Sequence, residues 1–171
     1  MSAPFSSAAE RAHQFAQSRN IELVKTLGSG VNGQVWSSTR LSAVKVFDRQ
    51  MEYEREWVVY ARLAELEVDR INEFEVPQLL AWDDELRVIE ISLVRPPYIL
   101  DFAGAYLDRP PDFPAEALAE QHQNNRELFG THWPRVSLIL AKLRSMGIYY
   151  IDINRGNIRL PEFDEEAEPD F

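Results

Sequence analysis

A glycine-rich stretch, Gly28-Ser29-Gly30-Val31-Asn32-Gly33-Gln34-Val35, sits between short runs of strand-forming composition, and this arrangement restricts the fold more than anything else in the chain. The runs cover residues 21–27, 34–38 and 41–47, where β-branched, leucine and aromatic side chains dominate. Strands joined by turns this tight pair with their neighbours in sequence, so the expected local structure is an antiparallel meander. The turn leads from strand to strand, which excludes the parallel strand-to-helix fingerprint of dinucleotide-binding folds. No Lys-Ser or Lys-Thr pair follows Gly33, which excludes a Walker A loop. Taken alone, the glycines suit either a plain hairpin or a backbone that must come close to a ligand.

Helical periodicity surrounds this meander. Phe5, Ala8, Ala9, Ala12, Phe15 and Ala16 give residues 5–19 a short apolar stripe, consistent with a helix on the outside of the first lobe. Residues 52–66 read as a second helix, burying Trp57, Tyr60, Ala61, Leu63 and Ala64. Two more strands are expected at 78–82 and 86–93, separated by the turn Asp83-Asp84-Glu85. Arg95-Pro96-Pro97 then interrupts regular structure, because proline donates nothing to a ladder and biases the preceding residue toward extended geometry.

Beyond that break, residues 99–107 read as a short helix, and residues 115–128 as a helix capped by Asp112 or a neighbour. Residues 134–146 carry Val136, Ile139, Leu140 and Leu143 at clear helical spacing. The expectation is an α+β chain of three parts. Residues 1–20 form a helical extension, 21–94 a lobe of antiparallel sheet plus one helix, and 95–171 a linker followed by a shortened, mainly helical lobe.

The charge balance bears on partners. Eighteen basic against 28 acidic residues leave a formal charge of -10, which opposes nonspecific attraction to nucleic acid or to an anionic membrane. The chain has no cysteine, so thiolate metal sites and a cysteine nucleophile are excluded. His13, His122 and His132 are scattered and lack metal-ligand spacing. The N-terminus has no basic segment leading into an apolar core, and no apolar run approaches the roughly 20 residues of a membrane span. A cytoplasmic location is the expectation.

Chemistry concentrates at a few positions. Lys45 lies within the apolar run Ala43-Val44-Lys45-Val46-Phe47, and a buried lysine requires an anion. Glu52, Glu54 and Glu56 are available on the next helix; Glu56 is favoured, because Tyr60 and Leu63 follow it at helical spacing. Much later come Asp152-Ile153-Asn154-Arg155-Gly156-Asn157 and then Asp170-Phe171. In order and context, this series resembles the protein-kinase signature: glycine-rich loop, Ala-Val-Lys, catalytic Asp-x4-Asn and Asp-Phe.

The resemblance implies a two-lobed kinase-like fold and an ATP·Mg-dependent phosphotransferase of the serine/threonine protein kinase type, acting on a hydroxyl of a protein or small molecule. Gly28, Ser29, Gly30 and Gly33 would meet the phosphates, with Lys45 held by Glu56. Val35 and Ala43 would cover the adenine, and backbone groups around Glu90 would hold it between the lobes. Asp152 would be the catalytic base, and Asn157 and Asp170 would ligate Mg2+.

Several positions depart from the family pattern. Tyr150-Ile151-Asp152 stands where protein kinases have His-Arg-Asp, and Asn154 stands where they have a lysine. Arg155 is the nearby cation, directed either to phosphate or to solvent. The sequence ends where an activation segment and peptide-binding helices would follow, which suggests either a truncated product or a minimal enzyme. Two further readings stay open: a pseudokinase acting as a nucleotide-binding or interaction module, and a small-molecule kinase similar to the aminoglycoside phosphotransferases.

Overall fold

The computed structural model describes residues 7–30, 33–94, 99–110, 112–151 and 153–160. In chain order it forms α1 (Ala8–Arg19), β1 (Leu23–Gly30), β2 (Gly33–Ser38), β3 (Ser42–Phe47), α2 (Gln50–Glu65), β4 (Arg70–Ile71), β5 (Phe74–Glu75), β6 (Leu79–Asp83) and β7 (Val88–Ser92). There follow β8 (Ile99–Leu100), β9 (Tyr106–Leu107), α3 (Ala115–Phe129), a 3-10 turn at Gly130–His132, α4 (Trp133–Ser145), β10 (Ile148–Tyr149) and β11 (Ile158–Arg159). Two compact units result. One comprises Met1–Ala64 and Pro77–Leu93; the other comprises Glu65–Val76 and Val94–Phe171.

The first unit is an antiparallel sheet of order β1-β2-β3-β7-β6, with the β1-β2-β3 meander as expected. Ala12, Phe15 and Ala16 of α1 pack on Trp36, Val44, Val46, Ala81 and Val88, closing one face of the sheet. The helix is well punctuated. Ser7 and Glu10 form a reciprocal capping box, and Asn20 ends it in the left-handed region at φ 52°. Arg11 is buried in this interface, where its guanidinium donates to the backbone oxygens of Phe47 and Leu86, each at 2.8 Å. Burial, then repulsion from Arg87, lowers its pKa from the usual arginine value against the opposing pull of Asp48.

The second helix, α2, is rotated relative to the expected stripe. Its buried residues are Tyr53, Glu56, Val59, Tyr60 and Leu63, whereas Trp57 and Ala61 are half-buried and Ala64 is exposed. The expectation followed hydrophobicity alone. Lys45 draws a carboxylate inward, so Glu56 takes a buried position, and the indole of Trp57 is left against Trp82 at 5.9 Å between ring centroids. Tyr53 meets Phe47 edge-on at 5.9 Å and donates to Asp84 Oδ1 at 2.6 Å.

Burial first, and then the hydrogen bond to Asp84, raise the Tyr53 phenol well above its ordinary pKa of 10.0. A phenol that ionises less readily folded than unfolded stabilises the fold fully below about pH 10 and loses that contribution as the pH climbs further. Wild type is therefore expected to lose stability above pH 10 by up to about 1.4 kcal/mol per pH unit more than Tyr53→Phe. Urea titrations of both proteins at pH 9, 10 and 11 check this; parallel losses would refute the assignment.

In the second unit, α4 buries Val136, Ile139, Leu140 and Leu143, the stripe its sequence specifies. α3 forms where expected, but its N-cap position is Pro114, and no side chain caps it. The expectation of a helix over 99–107 is not met. That segment instead contributes β8 and β9, which pair antiparallel with the distant β11 and β10. Gly104 adopts φ 75°, and Asp101 Oδ1 accepts from Ala103 N at 3.0 Å, so the chain turns tightly between the two short strands. The β4–β5 hairpin, unforeseen in the sequence, joins the same unit, where Glu73 bonds Arg135 of α4. Among the described residues, no helix is long and apolar enough to cross a membrane.

Candidate functional site

Strand register assembles the site of the first unit. Gly28 lies opposite Val35, Val35 opposite Lys45, and Lys45 opposite Ile89. Directly opposed residues of an antiparallel sheet project from the same face. Gly28, Val35 and Lys45 therefore form one row across one face, and Ala43, two residues along β3, shares it. This is the face on which α2 provides Glu56.

Lys45 Nζ lies 2.5 Å from Glu56 Oε1, with side-chain exposures of 15% and 5%. The ammonium is also 5.5 Å from the centre of the Phe47 ring. Choosing Glu56 over Glu52 and Glu54 thus agrees with the geometry. Glu54 is exposed, and Glu52 pairs with Arg49 at 3.5 Å.

The glycines differ in kind. A Cβ added at Gly28 or Gly30 would meet nothing within 4 Å, so neither position is glycine for lack of space inside the protein. Gly33 has φ +143°, and a Cβ there would collide with the Val46 carbonyl oxygen while lying 3.0 Å from its carbon and 3.1 Å from Phe47 Cα. Gly33 lets β2 approach β3. Gly28 and Gly30 leave room above the sheet, on the exposed strand β1. Val31 and Asn32 lie outside the described residues.

Two of the expected binding residues, both expected to act through backbone groups, turn their side chains to the other face of the sheet. Ser29 falls in the register row of Gln34 and Val46, on the α1 face, so its side chain does not join Lys45. Glu90 also alternates to that face, opposite Val44. It is buried, accepts a 2.6 Å hydrogen bond from Ser42 Oγ and lies 3.7 Å from Arg19 Nε. Ser42 in turn shares a 2.5 Å hydrogen bond with Ser38. Glu90 side-chain chemistry therefore serves the α1 interface. Hydrophobic patterning could not distinguish the two faces of β7, because Val88–Ser92 is buried nearly throughout.

In the second unit, the loop after β10 is organised by Asn154. Its Oδ1 accepts from the backbone N–H of Gly156 and of Asn157, both at 2.9 Å, an Asx turn that shapes the segment leading into β11. Arg155 donates through Nε and Nη2 to the Leu128 carbonyl at 3.0 and 2.8 Å, near the C-terminus of α3. The guanidinium expected at phosphate or in solvent thus holds the loop to α3. Asn157 is half-buried, its backbone oxygen accepting from Asp101 N at 2.9 Å. Asp152 and Asp170 lie outside the described residues. Among those described, no group of three or more His, Asp or Glu side chains is arranged to hold a metal.

No protein-family profile matches the sequence, and no curated protein matches it. Two solved structures are similar to the fold. The streptomycin-ATP-APH(2")-IIa ternary complex aligns at 16% identity and a TM-score of 0.44, over 91% of this chain and 43% of that one. The ADP-bound aminoglycoside phosphotransferase APH(2'')-Ib aligns at 16% identity and a TM-score of 0.46, over 86% of this chain and 42% of that one. The chain spans less than half the length of either.

Proposed function

We propose that this chain binds ATP with Mg2+ and transfers the γ-phosphoryl group to a hydroxyl of a small molecule. The observation that carries the reading is the face of the first unit where Gly28, Val35 and Lys45 fall in one register row, with Glu56 fixing the lysine and open space above Gly28 and Gly30. A triphosphate fits that combination. Backbone N–H groups free of side chains can approach the phosphate oxygens, and a lysine aimed by a carboxylate supplies a point charge. Val35 and Ala43, apolar and on the same face, suit the flat surface of a purine.

Within this reading, Asp152 takes or orients the proton of the attacking hydroxyl, and Asn157 and Asp170 hold the metal. The amide of Asn157 and the carboxylate of Asp170 are hard oxygen donors, as Mg2+ requires. When bound, the ion offsets charge on the phosphate oxygens. The acceptor is taken as a small molecule because Asn154, at the position of the protein-kinase lysine, is committed to the Asx turn, while Arg155 is committed to Leu128. That choice departs from the serine/threonine protein kinase type implied by the motifs alone.

The test is transfer of labelled γ-phosphate to a panel of sugars, aminocyclitols and hydroxylated peptides, beside calorimetry with ATP and Mg2+. Asp152→Asn should bind ATP normally and lose at least about a hundredfold in transfer rate. No nucleotide binding at millimolar ATP would overturn the site itself. Binding without transfer to any acceptor would favour the non-catalytic nucleotide module, and transfer to peptides alone would favour the protein-kinase type.

A further inference from the structure

Helix α3 buries little of itself. Of its 15 residues only Asn125 and Phe129 are buried, while Leu118 and Leu128 stay 45% and 37% exposed. Helices in proteins draw most of their stability from packing an apolar face, so a helix this exposed relies on other contacts. Those of α3 are polar, and they fall on both sides of Asp152.

Gln121 Nε2 donates to the carbonyl of Ile151, the residue before Asp152, at 3.1 Å. The same oxygen accepts from Ile153 N at 2.8 Å, so both of its lone pairs are engaged. On the other side, the Arg155 guanidinium holds the Leu128 carbonyl. That carbonyl belongs to the last turn of α3, where backbone oxygens lack donors within the helix and the dipole favours a cation. Gln121 and Leu128 lie two turns apart, about 10 Å along the axis, and therefore on one side of the helix, with buried Asn125 between them.

Side-chain packing does not supply the same constraint. A cavity of about 440 Å³ opens among α3, α4 and the loop, lined by Gln121, Asn125, Trp133, Leu140, Ile151 and Ile153. A residue that faces a void lacks the contacts that would fix it. The hydrogen bonds to α3 do that work instead.

We propose that Gln121 is a positioning residue: together with Arg155 it anchors the loop to one side of α3 on both flanks of Asp152. The catalytic consequence rests on the phosphotransfer reading, whereas the anchoring does not. Without the Gln121 donor the loop keeps one anchor, and a base displaced by about 1 Å can lose as much as a hundredfold in rate. The glycine-rich row and Lys45 belong to the first unit, so KM for ATP should not follow.

The test compares three variants of the full chain. Gln121→Met keeps the length and removes the donor, and Gln121→Lys returns an N–H donor of similar reach. Gln123→Met makes the first change on the exposed side of α3, where Gln123 pairs with Glu127 at 2.8 Å. In Gln121→Met, NMR without nucleotide should show the amides of Ile153, Gly156 and Asn157 exchanging at least about tenfold faster. Its kcat for γ-phosphoryl transfer should fall at least about tenfold at unchanged KM for ATP. Gln121→Lys should restore both, and Gln123→Met should match wild type. Unchanged exchange in Gln121→Met, no recovery in Gln121→Lys, or equal losses in Gln123→Met would each overturn the anchoring. Faster exchange with an undiminished kcat would overturn the positioning role. A wild type that transfers phosphate to no acceptor would sink the phosphotransfer reading and the catalytic role with it, and exchange would still decide the anchoring.

Discussion

Glu56→Leu lowers the stability of the chain by about 3–5 kcal/mol, and Lys45→Met by a comparable amount, yet the double variant recovers most of the loss. Each single change leaves one charged group in a setting where its side chain is no more than 15% exposed, facing an apolar neighbour instead of its counter-ion. The doubly substituted pair has no charge to solvate and retains similar volume against Phe47 and the sheet. Urea melts of all four proteins give the coupling energy directly. Losses that simply add would show that Lys45 and Glu56 are not energetically paired, removing the main support for a positioned lysine. Recovery would mean that folding does not require the pair, leaving a ligand as the reason for an ammonium at that point of the face.

Gly33→Ala is expected to cost about 3 kcal/mol or more, whereas Gly28→Ala and Gly30→Ala stay within about 1 kcal/mol of wild type. At Gly33 the new methyl would meet backbone of β3, which cannot swing aside as a side chain could, and φ +143° is strained for any residue with a Cβ. At the other two positions the methyl enters open space. Thermal melts rank the three, and a mild Gly33→Ala would contradict the close β2–β3 approach. The same variants separate folding from binding. Gly28→Ala with an unchanged melt and weakened ATP affinity would tie that open space to the phosphates.

Much of this was legible in the chain. The meander, the α4 stripe and the pairing of Lys45 with Glu56 follow from period, turn chemistry and the cost of a lone buried ammonium, all of which act over a few residues; the break expected at Arg95-Pro96-Pro97 lies outside the described residues. The failures share one cause. The segment 99–107 carries too little local preference to resist strand pairing with β10 and β11, about fifty residues away, and α2 is turned from its apolar stripe because one ion pair outweighs two alanines. Asn154 and Arg155 stand at positions of the kinase pattern, yet Asn followed by Arg-Gly is itself an Asx-turn signal.

The sequence by itself determined which groups are available: a glycine-rich turn between strands, a lysine among apolar residues, a carboxylate on the next helix, and an Asp-x4-Asn loop behind an amphipathic helix. Tertiary structure decided which of them meet. Register, set by hydrogen bonds between strands far apart in sequence, placed Val35, Ala43 and Lys45 on one face and sent Ser29 and Glu90 to the other. Because side chains alternate along a strand, a shift of one residue in pairing would reverse that division, and only the packed sheet with a helix on each face selects between the two.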